Sequence, residues 1–80
     1  MDKNSIISKV NEFLEEEFEV ENEDITGDAN LKDTLELDSL DYVDLVVSVE
    51  SNFGVKLNAE DFVGIVTLQN FYDLIDRKVN

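Results

Sequence analysis

The sequence predicts an all-α fold, a small four-helix bundle with a long first loop and a short third helix. Apolar residues recur in four periodic stretches of the chain, at spacings of three and four that match an amphipathic helix. The connecting stretches are polar and contain the three glycines. A length of 80 residues fits one domain with a thin core. We expect a single domain over 1–80, with helices at about 3–19, 39–52, 59–63 and 68–78.

The first helix is predicted by one apolar stripe that begins soon after Lys3 and continues to Phe18. Glutamates fill the opposite face, which is typical of a solvated surface. The stripe consists of Ile6, Ile7, Val10, Phe13, Leu14 and Phe18.

The segment 20–37 shows no sustained period and is rich in turn-forming residues, so we expect a long loop whose spaced leucines attach it to the core. It does not match a calcium-binding EF-hand loop. Counted from Asp28, the sixth position is Asp33 instead of glycine and the twelfth is Ser39 instead of glutamate.

The second helix is predicted to begin after Asp38, a good N-cap residue, with Asp41 three positions later in the place of a capping box. Gly54 is the predicted C-cap. The apolar face is broad and contains Leu40, Val43, Val46, Val47, Val49 and Phe53. A polar stripe is expected from Asp41, Asp44, Ser48 and Ser51.

Two further helices complete the prediction. Asn58 can cap the short third helix, and Thr67 can cap the last one. Arg77 and Lys78 lie at the end of the last helix, where cations complement the helix dipole. The stripe of that helix consists of Leu68, Phe71, Tyr72, Ile75 and Val79.

Composition excludes several functions. Six Lys and Arg against 20 Asp and Glu give a net charge of −14, which argues against nucleic acid and anionic lipid as partners. The chain has no Cys and no His, so thiol and imidazole catalysis and thiolate metal sites are excluded, and we predict that it is not an enzyme. No apolar run reaches the length of a membrane span or a signal peptide, which predicts a cytoplasmic protein without membrane insertion. Strong like charge favours a monomer.

The most informative segment is Leu37-Asp38-Ser39-Leu40-Asp41. It places the Ser39 hydroxyl at the first position of a helix, where partial positive charge and unpaired N–H groups suit a phosphate. Ser39 is therefore a candidate for a covalent phosphoester, although a serine at a helix start is also explained by capping alone. The neighbouring Asp38 and Asp41 oppose a phosphate, so they indicate a basic partner or a metal ion at the time of modification.

When this motif is taken together with the residues around it, the sequence resembles the acyl carrier protein family. The resemblance covers nearly the whole chain without gaps between Ser39, Phe53 and Thr67. It depends on the first helix, the loop Asp28-Ala29-Asn30-Leu31, Asp38-Ser39-Leu40, Val43 with Leu45-Val46, Phe53-Gly54-Val55, Ile65, Thr67 and Leu68.

The resemblance implies a carrier whose 4′-phosphopantetheine arm, donated by coenzyme A, is attached to Ser39 by a phosphopantetheinyl transferase. The thiol of the arm would carry acyl groups as thioesters between enzymes of fatty-acid, specialised lipid or polyketide synthesis. Asp38 would assist the transferase and its metal ion. Synthases with basic docking patches would contact the apolar residues Leu40, Val43, Val47 and Ile65 and the acidic residues Asp41, Asp44 and Glu50.

Departures from the family pattern leave the carrier interpretation intact but keep open the choice between primary fatty-acid synthesis and a specialised lipid or polyketide route. Glu36 stands where a glycine is common, and Phe62 stands where a small residue is frequent and narrows the room for an acyl chain. One alternative is a peptidyl or aryl carrier of nonribosomal peptide assembly, which would use the same serine. An alternative of another class is a noncovalent acidic helical adaptor, in which Ser39 merely caps a helix.

Overall fold

The structure is a computed structural model that describes residues 2–80, apart from the side chains of Ser39 and Ala59. It contains helix α1 (Lys3–Glu17), helix α2 (Leu31–Leu35), helix α3 (Ser39–Phe53) and helix α4 (Leu68–Val79). Two 3-10 turns span Asn22–Asp24 and Ala59–Phe62. No β-strand is present over residues 2–80, so the predicted all-α fold is confirmed. No helix in this range is both long and apolar enough to cross a membrane.

The long first connection contains more structure than the sequence pattern indicates. Helix α2 forms inside it, with the Asn30 side chain accepting a hydrogen bond from the backbone N–H of Asp33 at 3.0 Å. Helix α1 ends two residues earlier than expected, and Glu19 then adopts a left-handed conformation with φ of 55°. The predicted third helix is present as the 3-10 turn Ala59–Phe62.

The core lies where α1 packs against α3 and α4. It is apolar, and Tyr72 brings one of the few polar atoms into it. The Tyr72 hydroxyl donates a hydrogen bond of 2.6 Å to Asn11 Oδ1, which satisfies a group that would be costly to bury alone. The residues with no measurable exposure are Ile6, Val10, Leu14, Leu45, Val49, Leu68, Phe71 and Ile75.

Backbone hydrogen bonds attach the first connection to the beginning of α4. The N–H groups of Leu68 and Gln69 donate to the carbonyls of Ala29 and Gly27 at 3.0 and 2.8 Å. The N–H of Leu31 donates to the carbonyl of Val66 at 2.9 Å. These bonds occupy N–H groups that the first turn of a helix leaves without a partner inside the helix. They also fix the chain segment that leads into α3.

One face of α3 differs from the predicted polar stripe. Ser48 was expected on the solvated side, but it is buried and its hydroxyl donates a hydrogen bond to Glu17 Oε2 at the end of α1. The 15-residue helix buries Leu45, Ser48 and Val49 together. The side of α3 that packs against α1 therefore includes Ser48, and it differs from the side that the sequence pattern predicts. Other apolar residues of α3 are left on the surface.

Candidate functional site

The first turn of α3 is held by a capping box, as predicted. Asp38 Oδ1 accepts hydrogen bonds from the N–H groups of Leu40 at 2.9 Å and Asp41 at 3.0 Å. In return, Asp41 Oδ2 accepts from the N–H of Asp38 at 3.2 Å. The two carboxylates beside position 39 thus have a structural role in addition to any role toward a partner. Ser39 is the first residue of α3, and its side chain lies outside the part that the structure describes.

The chain enters this turn from a buried anchor. Glu36 ends α2 in a left-handed conformation with φ of 51° and ψ of 48°. Leu37 follows, is buried, and donates its N–H to the carbonyl of Lys32 at 3.0 Å. The sharp reversal at Glu36 therefore places Leu37 in the core and brings Asp38 back to the surface.

An apolar surface extends from this turn along α3. Leu40 is 76% exposed, Val43 59% and Val47 54%, values that are large for aliphatic side chains. Asp44 and Glu50 are exposed on the same helix, whereas Asp41 is half-buried. Three apolar and two acidic side chains of the predicted partner face are therefore accessible. We call Leu40, Val43, Val47, Asp44 and Glu50 the α3 face.

The loop after the second 3-10 turn contributes exposed apolar residues that sequence reasoning missed. Ile65, the predicted contact, is half-buried, while its neighbours Val63 and Val66 are 82% and 55% exposed. Gly64 between them has a φ of 84°, a left-handed conformation that glycine adopts easily. The residues follow no helical period, so the only available signal was an apolar run interrupted by a glycine.

Charge is distributed unevenly between α3 and the rest of the described chain. Lys3 forms an ion pair with Asp73 of α4, and Lys78 forms one of 3.2 Å with Asp61. No salt bridge of the described residues involves Asp44 or Glu50. No three acidic side chains in the described part are grouped to hold a metal ion. The α3 face therefore presents negative charge that its own cations do not compensate.

Three aromatic rings connect the beginning of α3 with the core. The half-buried Tyr42, one turn after position 39, meets Phe62 edge to face, with 5.4 Å between ring centroids and an interplanar angle of 67°. Phe62 in turn stacks on Phe71 at 6.3 Å and 19°. Phe71 belongs to α4 and is completely buried. We call Tyr42, Phe62 and Phe71 the ring series.

Comparison with known proteins places this geometry in a family. A family model described as a phosphopantetheine attachment site matches residues 8–75. An acyl carrier protein of Petrotoga mobilis is 36% identical over 80 residues, covering 100% of this chain and 94% of that protein. An acyl carrier protein of Thermotoga maritima is 39% identical over 77 residues, covering 96% of this chain and 95% of that protein.

A solved structure agrees with these sequence matches. The crystal structure of an acyl carrier protein from Thermotoga maritima superposes with a TM-score of 0.77 at 25% identity, covering 99% of this chain and 92% of that one. The similarity therefore includes both the sequence and the fold over nearly the full length. The chain belongs to the acyl carrier protein family, whose members are non-catalytic carriers with a covalently attached 4′-phosphopantetheine prosthetic group.

Proposed function

We propose that this protein carries acyl groups as thioesters on a 4′-phosphopantetheine arm attached to Ser39 and passes them between biosynthetic enzymes. The observation that supports this most strongly is the location of Asp38-Ser39-Leu40 at the capped first turn of α3, with Asp38 and Leu40 exposed on either side of the serine. A transferase needs access to the hydroxyl, and a long arm needs an open exit. A backbone fixed by capping bonds presents the attachment position without ordering a flexible loop first.

Asp38 is proposed to have a second role during modification, in assisting the transferase and its metal ion. Both capping hydrogen bonds of Asp38 are made by Oδ1. Coordination of a metal ion through Oδ2 would therefore not require the cap to break. The hard carboxylate oxygen is a suitable ligand for Mg²⁺.

The α3 face is proposed as the docking surface for the transferase and for acyl-handling synthases. Exposed aliphatic side chains provide apolar contact, and Asp44 and Glu50 attract Lys and Arg of basic docking patches. Asp41 and the half-buried Ile65 would border this surface. Charge complementarity accelerates encounter and selects partners while keeping contacts weak enough for release. A carrier that visits several enzymes needs this combination.

The net charge of −14 also supports a monomer, because two copies would repel each other. We propose a cytoplasmic location and a role in fatty-acid synthesis or in a specialised lipid or polyketide route. Profiling the acyl groups on the protein isolated from its source cell would distinguish these routes.

Attachment is tested by intact mass. Unmodified protein is incubated with coenzyme A, Mg²⁺ and a broad-specificity phosphopantetheinyl transferase. We expect the natural chain to gain one phosphopantetheine and Ser39→Ala to gain none. Ser51→Ala, an exposed serine of the same helix, is the matched control and should be modified like the natural chain. Modification of Ser39→Ala would refute the site, and a folded natural chain that gains no mass would favour a noncovalent adaptor.

Docking is tested by the rate of the same reaction. Asp44→Asn and Glu50→Gln should lower the second-order rate constant at low salt, and the difference should shrink as salt screens the charges. Val43→Ser should lower the rate with little dependence on salt. Glu12→Gln, an exposed acid on α1, is the control and should leave the rate unchanged. Equal losses for Glu12→Gln and Glu50→Gln would show that net charge, and not the α3 face, governs docking.

A further inference from the structure

The turn before the attachment position contains a residue that the fold does not favour. Glu36 has φ of 51° and ψ of 48°, three residues before position 39. Glycine adopts this left-handed conformation without strain, whereas the Cβ of any other residue comes close to the following carbonyl oxygen. The bonds made there are backbone bonds, in which the N–H groups of Glu36 and Leu37 both donate to the carbonyl of Lys32. Glycine would make the same bonds, so the reversal does not need a glutamate side chain.

The charge of Glu36 is unfavourable as well. Its exposed side chain lines an open groove between the first 3-10 turn and α2, where the other charged groups are Glu23, Asp24 and Asp33. Neighbouring like charges destabilise each other. Within residues 2–80, the Glu36 carboxylate forms no salt bridge and accepts no hydrogen bond. Neither the backbone nor the surroundings of Glu36 therefore explain a glutamate at this position.

We propose that Glu36 is a recognition residue for the phosphopantetheinyl transferase that modifies Ser39, and that its carboxylate pairs with a Lys or Arg of that enzyme. This inference rests on the proposed function, since it concerns the modification of Ser39. It adds a contact that precedes α3 and lies outside the α3 face. Backbone strain that the fold does not need is typical of functional sites, where it is maintained for another purpose.

Glu36 is close enough to position 39 to lie beneath a bound transferase. Three residues span at most about 11 Å of extended chain. The transferase brings its active site onto the hydroxyl at position 39, so its contact surface is centred near that position. Even a small transient interface buries about 600 Å² on each partner, and a round patch of that area extends about 14 Å from its centre. A contact surface of this size includes Glu36.

Three carboxylates lie within three residues of position 39, and two of them are used by the fold. Asp38 Oδ1 and Asp41 Oδ2 accept the hydrogen bonds of the capping box. The carboxylate of Glu36 has no such role among the described residues, so it can pair with a cation of the transferase without the loss of a capping bond. A charge at the rim of an interface mainly changes the rate of association, and its effect depends on salt.

The test measures phosphopantetheine transfer to the natural chain and to Glu36→Gln by the transferase of the source cell, at low and high salt. Glu36→Gln keeps the size of the side chain and removes its charge. We expect kcat/KM to fall about threefold to fivefold at low salt, through a higher KM with kcat unchanged, and the difference to vanish at high salt. Glu36→Lys should be modified more slowly still, because it places like charges opposite each other.

Two further variants separate recognition from charge and from folding. Glu23→Gln is the matched control, since it makes the same substitution at an exposed acid of the same groove, and it should keep kcat/KM within about 1.5-fold of the natural value. Glu36→Gly should be modified as slowly as Glu36→Gln although it relieves the backbone strain.

Equal kcat/KM for the natural chain and Glu36→Gln would overturn the inference alone, as would equal losses in Glu23→Gln and Glu36→Gln. A natural chain that accepts no arm would overturn the proposed function, and the inference with it.

Discussion

Helices α3 and α4 begin alike but use their apolar residues differently. Each starts with a capping box, formed by Asp38 with Asp41 in α3 and by Thr67 with Asn70 in α4. In α4, the apolar stripe is buried, including Leu68 and Phe71, and only Val79 at its end is half-buried. In α3, three aliphatic residues remain exposed beside the attachment position. The comparison shows that α3 has more apolar residues than the core requires, and that the surplus lies on the surface proposed above for docking.

The charged residues of α3 and α4 differ in the same way as their apolar residues. Asp73 of α4 is paired with Lys3, and its pKa lies below the ordinary value because of that hydrogen bond. The exposed Asp44 and Glu50 of α3 form no salt bridge with described residues. Helix α4 thus pairs Asp73 and Lys78 with charges elsewhere in the molecule, while Asp44 and Glu50 of α3 remain available to a cationic partner. Exposed ion pairs contribute little stability, so this difference affects recognition more than folding.

The largest effect should come from matched leucines at the beginnings of the two helices. Leu68→Ala removes a fully buried side chain and should lower the free energy of unfolding by about 2–5 kcal/mol, whereas Leu40→Ala should change it by less than about 0.5 kcal/mol. Urea denaturation followed by circular dichroism measures both. The comparison fails if Leu40→Ala costs as much as Leu68→Ala, since Leu40 would then be packed in solution.

The entries into the two helices give the next largest effect. The N-cap residues Asp38 and Thr67 are both extended, but the left-handed residue a few positions earlier differs. It is Gly64 with φ of 84° before α4 and Glu36 with φ of 51° before α3. A left-handed conformation is costly for any residue with a Cβ, so Glu36→Gly should stabilise the fold by about 0.5–1 kcal/mol after the greater unfolded-state entropy of glycine is counted. Lys32→Gly, inside α2, is the control and should destabilise it by a similar amount. Loss of stability in Glu36→Gly would show that the Glu36 side chain compensates for its backbone.

The ends of the two helices are neutralised differently. Helix α4 has Arg77 and Lys78 in its own last turn, whereas α3 has no basic residue there. Instead, Lys9 of α1 donates from Nζ to the carbonyl of Asn52 at 2.9 Å and lies 5.7 Å from the centroid of the Phe53 ring. Lys9→Met should therefore lower the free energy of unfolding by about 0.5–1 kcal/mol at low salt.

The control for this prediction is Lys56→Met, which changes an exposed lysine outside the helices by the same substitution. It makes the net charge equally more negative, so it accounts for the general effect of losing a cation. Thermal or urea denaturation of both variants at low and high salt measures the difference. Equal losses in the two variants would mean that Lys9 acts through net charge and not through the end of α3.

Sequence periodicity and capping chemistry were sufficient to predict the three long helices. The stripes of α1 and α4 are long enough to define a period, and Asp38 and Thr67 each have the partner three residues later that a capping box needs. Helix α2 could not be predicted in this way, because the five residues Leu31–Leu35 span too little of a period. The left-handed Glu36 was equally hidden, since glycine is the usual signal for that conformation.

For the site as well, features set by local spacing could be predicted from the sequence, whereas features set by tertiary packing could not. The motif and the capping carboxylates were identified from local spacing. Leu40, Val43 and Val47, which the family resemblance assigns to partner contact, are exposed, and their contact with a partner stays a prediction. A periodic pattern does not say which apolar side of a helix meets the core, so the burial of Ser48 and the exposure of Val63 required tertiary structure. The contact of Ser48 with Glu17 joins residues far apart in the chain, and no local rule anticipates it.

The smallest effect concerns how α4 is joined to the second 3-10 turn. The pKa of Asp61 is held below its ordinary value of 3.8, first by the hydrogen bond from the Asn58 N–H and then by Lys78. Because its pKa is lower in the folded state, ionised Asp61 stabilises the fold at pH values above the pKa that it has in the unfolded chain. This contribution is lost as the pH falls through the pKa of the folded state.

Because the backbone N–H is the larger cause, Lys78→Met should return the pKa of Asp61 only part of the way toward 3.8, as measured by an NMR titration of its carboxyl carbon. A complete return would assign the shift to the ion pair instead. If the pKa of Asp61 stays lowered in Lys78→Met, the shift comes chiefly from the capping bond within the turn, in which the Asn58 N–H donates to Asp61 Oδ2 at 2.8 Å.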